Sequence, residues 1–330
     1  MKIAVVTPTP VDSPHGNGVT ARRWATILDG LGHRVSLSRT YDGGAHDVLI
    51  ALHARKSAGA VRAFRAQRPG APVVVALTGT DLYPDLATGG VEEEVLAAAT
   101  RLVVLQPEAL AQLPAPLAAR TTVIVQSVPP IPPRPARADC FEVALLAHLR
   151  PVKDPLRLAA AARLLPADSR IRITHLGAAL DNALADRAAA ESASNPRYTW
   201  LGPRAREEAL QVLARSRLLA LTSVHEGGAN VVSEALAAGV PIVSSAIPGS
   251  SGLLGRDYPG YFPAGDTEAL ASLLDAAEHD RDGRYGELRR RCAAARPLVD
   301  PARERDGWAS LLAELPLPLP TPDLGSRGRP

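Results

Sequence analysis

Two glutamates with seven residues between them, Glu226 and Glu234, bracket the run Gly227-Gly228-Ala229-Asn230-Val231-Val232-Ser233. Small residues just before a helix leave backbone N–H groups free, and the helix dipole adds partial positive charge there. That arrangement suits a phosphate or diphosphate. A carboxylate beside a phosphate is repelled by it, so Glu226 and Glu234 read as acceptors of hydrogen bonds from sugar hydroxyls. The same string also reads as an ordinary capped helix with two solvated glutamates. A second constellation is His148-Leu149-Arg150-Pro151-Val152-Lys153, in which Arg150 and Lys153 would neutralise charge growing on a departing diphosphate.

In the first half, His15-Gly16-Asn17-Gly18-Val19-Thr20-Ala21 reads as a glycine turn running into a helix, with Arg22 and Arg23 just inside it. The turn matches a dinucleotide fingerprint only formally, because the next strand ends in Ser36-Leu37-Ser38-Arg39 and offers no carboxylate for a ribose. NAD is excluded. His53, Arg55 and Lys56 form a candidate anion site, and Thr78-Gly79-Thr80-Asp81 a polar turn. Asp280-Arg281-Asp282 lies between two late helices, away from any strand end, so a metal-diphosphate site there is not expected. No zinc spacing, nucleophile elbow or phosphate loop is present, and Cys140 and Cys292 are too few for a disulfide framework.

The elements that must position these residues follow from hydrophobic runs. Strand-length runs at Lys2–Val6, Arg34–Ser38, Asp47–Leu52, Val73–Leu77, Arg101–Leu105 and Thr122–Val125 alternate with helical stretches such as Thr20–Leu31, Ser57–Gln67 and Val91–Ala99. After five prolines in Gln126–Pro135 the alternation restarts, with strands at Phe141–Ala147, Arg170–His175, Tyr198–Leu201, Arg217–Leu221 and Pro241–Ser245. Continuous apolar strands separated by helices imply parallel sheets covered on both faces. The expected fold is therefore α/β, with two Rossmann-like doubly wound domains facing across a cleft at their carboxyl ends. The boundaries read as residues 1–128, a stiff linker 129–138, residues 139–299, a helix 300–315 that crosses back, and a disordered tail 316–330.

Composition agrees with a soluble globular protein rather than a disordered one: 330 residues, 46% apolar, 22% charged, and a net charge of +3. With 4% aromatics and that small charge excess, nucleic acid is not an expected partner. No apolar run reaches membrane-spanning length, and the N-terminus reads as a buried strand rather than a signal peptide. The expectation is a cytoplasmic protein without stable membrane association.

The paired glutamates, the glycine turn Gly16–Gly18, Gly239-Val240-Pro241-Ile242-Val243 and Phe262-Pro263-Ala264-Gly265-Asp266, in that setting, resemble the GT-B glycosyltransferases of family 4. The resemblance implies that Glu234 binds the donor ribose and Glu226 the donor sugar, while amides of Gly228 to Val232 hold sugar and phosphate. That family has Arg and Lys five residues apart after the second domain's first strand; here Lys153 matches the Lys, His148 stands at the Arg position, and Arg150 is a substitute. Thr78-Gly79-Thr80-Asp81 stands where some relatives carry His-Gly-Thr-Asp.

More narrowly, Ala51-Leu52-His53-Ala54-Arg55, Leu77–Tyr83, His148–Pro155 and Glu226–Glu234 are similar to the selenosugar synthases of selenoneine biosynthesis. This implies UDP-N-acetylglucosamine or UDP-glucose as donor, selenophosphate as acceptor, a 1-selenosugar product, and no cofactor or metal. Selenophosphate is an anionic, soft nucleophile that needs no strong general base. It does need cations, which His53, Arg55, Lys56, Arg22 and Arg23 would supply beside Thr78, Thr80 and Asp81. The alternatives are a family-4 transferase acting on a hydroxyl or thiol, a two-domain binding protein without chemistry, and a UDP-sugar epimerase.

Overall fold

The computed structural model describes residues 1–12 and 16–316. The tail expected beyond Pro316 lies outside the described residues, as does His15. The first domain runs β1 (Lys2–Val6), α1 (Gly16–Gly30), β2 (Arg34–Ser38), β3 (Val48–Leu52), α2 (Ala58–Gln67), β4 (Val73–Leu77), α3 (Glu93–Ala98), β5 (Arg101–Val104), α4 (Ala115–Ala118) and β6 (Thr121–Val123). The second runs β7 (Phe141–Leu146), α5 (Arg157–Arg163), β8 (Ile171–Leu176), α6 (Asn182–Ser194), β9 (Tyr198–Trp200), α7 (Arg206–Arg215) and β10 (Leu218–Leu221). It continues with α8 (Asn230–Ala238), β11 (Ile242–Ser245), α9 (Pro248–Leu254), β12 (Tyr261–Phe262), α10 (Thr267–Glu278) and α11 (Arg284–Ala295), before α12 (Pro301–Ala313).

The strands form two six-stranded sheets, ordered β2-β1-β3-β4-β5-β6 and β12-β11-β10-β7-β8-β9, and every pairing is parallel. Period-two alternation decides what each strand residue touches. In the first sheet Leu49, Ala51, Val73 and Val75 pack with Val61 and Phe64 of α2. Their neighbours Val48, Ile50, Val74 and Ala76 pack on the opposite face with Trp24 and Leu28 of α1 and with Trp308 and Leu312 of α12. So α12, the last described helix, completes a core of the first domain, where Trp24 and Trp308 meet edge to face at 4.7 Å.

Strand order reverses beside β1 in the first sheet and between β7 and β10 in the second. Ligands of doubly wound sheets bind at the carboxyl ends of such switch points. The loops that leave these ends carry His53 after β3, Lys153 after β7 and Glu226 after β10. One expected boundary shifts in an informative way. Gly16-Asn17-Gly18 is the first turn of α1 rather than a loop before it, closed by the Thr20 hydroxyl donating to the Gly16 carbonyl at 2.9 Å. No helix among the described residues is long and apolar enough to cross a membrane.

Candidate active site

A cleft of about 470 Å³ lies between the two sheets. Its floor on the second domain is the switch point. The chain leaves β7, makes a 3-10 turn at Pro151–Lys153, and is stopped by Asp154 in a left-handed conformation at φ 40°. Arg157 fixes that Asp154 carboxylate at 2.8 Å. The neighbouring loop after β10 is stitched to the turn: the Thr222 hydroxyl donates to the Lys153 carbonyl and the Val224 amide to the Val152 carbonyl, both at 2.9 Å. Lys153 Nζ is thereby set against Glu226 Oε1 as an ion pair, and the Ser223 hydroxyl donates to the same oxygen at 2.7 Å. Under the loop, His175 donates from Nε2 to the Ala147 carbonyl at 2.8 Å and accepts at Nδ1 from the Tyr198 hydroxyl at 2.6 Å. Burial above all pushes the His175 pKa down to about 4, so it braces the turn as a neutral ring. Gly177 is small because any side chain there would collide with the Ala147 carbonyl.

Helix α8 points its N-terminus into this cleft, with Ala229, Asn230 and Val231 lining it. Helix N-terminal amides lack intrahelical partners, so those of Asn230 and Val231 can meet an anion. Val232 differs: its amide bonds the Ala229 carbonyl at 3.0 Å and its side chain is fully buried. Gly227, expected to present an amide to phosphate, instead packs on the first domain, where a Cβ would lie 2.6 Å from the Thr78 carbonyl carbon. Gly228 lines the cleft, its α-carbon held against Leu105. Gly227 lets backbone approach backbone between the domains, and Gly228 lets the loop close on the Leu105 side chain. Gly16 and Asn17 line the opposite wall, whereas Gly18 is buried within α1.

Glu234 lines the cleft one turn further along α8, with 12% of its side chain exposed. Burial raises its pKa, and Arg206 and then Arg23 pull it back down. Arg206 Nη2 lies 2.6 Å from Glu234 Oε1. Arg206 and the nearby Arg204 belong to the cleft and were not anticipated from the sequence. A cue was present in a cation at the start of α7, where the helix dipole disfavours positive charge.

His148 and Arg150 line the cleft beside Lys153, and His148 Nδ1 accepts the Ala178 amide at 3.0 Å. On the first-domain wall the expected acceptor residues divide. His53, Lys56, Thr78 and Thr80 line the cleft. His53 has a left-handed backbone at φ 69° and is 3% exposed, with its Nε2 3.1 Å from the Thr80 hydroxyl. Burial is the largest influence on its pKa and lowers it, so His53 does not supply the cation expected of it.

Asp81 is fully buried and accepts from the amides of Ala54 at 3.0 Å, Thr78 at 3.1 Å and Gly79 at 2.8 Å. It ties two loops together instead of contacting a ligand. Arg55 pairs with Asp85 at 3.1 Å. Arg22 donates to the Val11 carbonyl, and Arg23 pairs with Glu304 of α12 at 2.9 Å while reaching Asn230 at 3.3 Å. These three arginines serve structural partners, which leaves Lys56 as the one lysine or arginine among the described first-domain residues that line the cleft.

Residues 134–297 match the family of glycosyl transferases group 1. No curated protein sequence matches the chain. Among solved structures, HepE of Anabaena in complex with UDP and glucose is similar over 96% of this chain and 100% of that one, with a TM-score of 0.75 at 18% identity. Sucrose-phosphate synthase of Thermosynechococcus elongatus is similar over 94% and 98%, with a TM-score of 0.77 at 14% identity. The pneumococcal O-GlcNAc transferase GtfA, in complex with UDP and GlcNAc, is similar over 91% of this chain and 60% of that one, with a TM-score of 0.60 at 13% identity. The protein therefore has the GT-B fold, with the match to glycosyl transferases group 1 lying over residues 134–297.

Proposed function

We propose that the protein transfers N-acetylglucosamine or glucose from its UDP-linked donor to selenophosphate, without a metal ion. Selenium attacks the anomeric carbon, the bond to UDP breaks, and a C–Se bond forms; water then cleaves the Se–P bond, releasing phosphate and a 1-selenosugar for selenoneine biosynthesis. One observation carries the reading: cations face each other across a single cleft, Arg150 and Lys153 at the switch point of the second domain and Lys56 on the first. Two anions must approach one carbon, and their repulsion opposes attack unless positive charge stands on both walls. The presence of UDP with glucose in HepE, and of UDP with GlcNAc in GtfA, supports the donor class.

In this reading Glu234 accepts from the ribose, Glu226 from the donor sugar, and the α8 amides hold the diphosphate. Lys153, released in part from Glu226, meets the charge that builds on the leaving group. Lys56, with the buried and unpartnered Thr78 hydroxyl, holds the acceptor. A second reading, transfer to a hydroxyl or thiol of another small molecule, draws on the likeness to an enzyme named as an O-GlcNAc transferase. Incubation with each UDP-sugar and selenophosphate separates the two. The first gives UDP and a selenium-bearing sugar by mass spectrometry; UDP release that requires a hydroxyl or thiol acceptor, with no selenium product, supports the second.

A further inference from the structure

The ion pair between Arg206 and Glu234 joins two helices that the chain order keeps apart. Arg206 opens α7, and its side chain is 47% exposed. Helix stability does not ask for arginine at that place, since a first-turn cation opposes the positive end of the dipole. Glu207 and Glu208 in the same turn already satisfy the dipole. Yet the guanidinium Nη2 reaches 2.6 Å from Glu234 Oε1, at the wall of the cleft. The other cation that acts on Glu234 is Arg23 of α1, whose guanidinium is held at 2.9 Å by Glu304. An ionised carboxylate offers about four acceptor positions, so one bond to arginine leaves capacity for two vicinal hydroxyls.

We infer that Arg206 is a positioning residue, which holds Glu234 through Oε1 in the orientation from which the carboxylate grips the hydroxyls of a ribose. The inference rests on the reading of Glu234 as the ribose acceptor. A carboxylate held in advance loses little side-chain freedom when the nucleotide arrives. Arg206 thus acts on nucleotide affinity through Glu234 and leaves turnover alone, because the ribose contact persists from ground state to transition state.

Calorimetric titration of UDP and of 2′,3′-dideoxy-UDP into the wild type, R206M, R206K, E234Q and R206M/E234Q tests this. In R206M, UDP binding weakens by about tenfold or more, the loss typical of a charge-assisted hydrogen bond. R206K recovers part of the loss. The R206M effect collapses toward unity for the dideoxy probe and again in the E234Q background, and kcat at saturating donor stays within about twofold. Equal weakening for UDP and the dideoxy probe, or an R206M effect that survives in E234Q, overturns the inference while leaving Glu234 in place. If E234Q alone binds UDP as tightly as the wild type, the ribose reading of Glu234 falls, and the role of Arg206 falls with it.

Discussion

Lys153 and Glu226 meet as an ion pair although one leaves β7 and the other β10. The contact joins the two loops of the switch point, so the lysine is aimed before any ligand arrives. Lys153→Ala should reduce kcat by on the order of 10²-fold while changing UDP affinity little, because leaving-group charge is largest in the transition state. Steady-state kinetics beside UDP titration checks this. A variant that loses UDP affinity and keeps its turnover would remove the proposed role.

Glu234→Gln should weaken UDP binding and at the same time stabilise the fold. Burial, the largest influence on Glu234, raises its folded pKa above the unfolded value of about 4.3. A raised folded pKa means that the group favours the fold below about pH 4.3 and that this contribution is lost as pH climbs through the folded pKa. The melting-temperature advantage of the glutamine variant should therefore widen from pH 4 upward and level off once Glu234 is fully ionised. Thermal unfolding across that range measures it, and a constant offset would contradict the sign.

In the proposed reading the acceptor anion is held by Lys56, which lines the cleft, rather than by Arg55, which pairs with Asp85. Lys56→Ala should raise the Michaelis constant for selenophosphate about tenfold and leave that for UDP-sugar within about twofold, as the loss of one charge-assisted contact predicts. Arg55→Ala, which cuts only the half-exposed pair with Asp85, should change neither beyond about twofold. Varying each substrate in turn for both variants distinguishes the assignments.

Gly227→Ala tests how closely the domains must approach. The added methyl group would sit 2.6 Å from the Thr78 carbonyl carbon and oxygen, and 2.7 Å from the Gly79 amide. Backbone on both sides leaves nothing flexible to yield, so the loop or the domains must shift. A misplacement near 1 Å can lower turnover by about 10²-fold. Normal melting behaviour with reduced kcat is the expected result; normal kcat would mean that the contact has no part in catalysis.

His175 sets an acid limit on stability. Its folded pKa of about 4 lies below the model-compound value of 6.5, so its contribution is present above pH 6.5 and is lost as pH falls toward 4. Urea unfolding at pH 7 and pH 5 should differ by roughly 2 kcal/mol from this group alone. In His175→Gln that part of the pH dependence disappears.

The fold was legible because runs such as Val48–Leu52 and Val73–Leu77 are apolar at every position, which only strands covered on both faces tolerate. The cleft positions of Lys153 and Glu226 were legible because each follows a strand by a short loop, and that of Glu234 because it stands about a turn into the helix that comes next. Partner choice was not legible. Nothing near Arg55 in sequence announces Asp85, and nothing near Arg23 announces Glu304, which stands 281 residues away. Asp81 resembles a ligand contact until its backbone donors are seen, because a buried loop must satisfy its own amides before it can serve a substrate. Gly16 to Gly18 misled for a related reason. Glycine is a poor helix former, yet closure by Thr20 and packing of Gly18 overrode that preference.

The placement of α12 bears on the order in which the molecule can be made. Trp308, Leu311 and Leu312 share a core with β1, β3 and α1, and buried Glu304 ties Arg23, Trp24 and Ser127. The apolar face formed by Ile3, Val5, Trp24 and Leu28 therefore waits for Trp308, Leu311 and Leu312 before it is covered. A ribosome releases the second domain's sheet while Trp24 still lacks its partner, so domain-by-domain folding during translation cannot run to completion from the N-terminus. A fragment ending before α12 would emerge with an open apolar seam along α1. Helices α1 and α12 act as a clasp that shuts only once residues 301–313 have emerged.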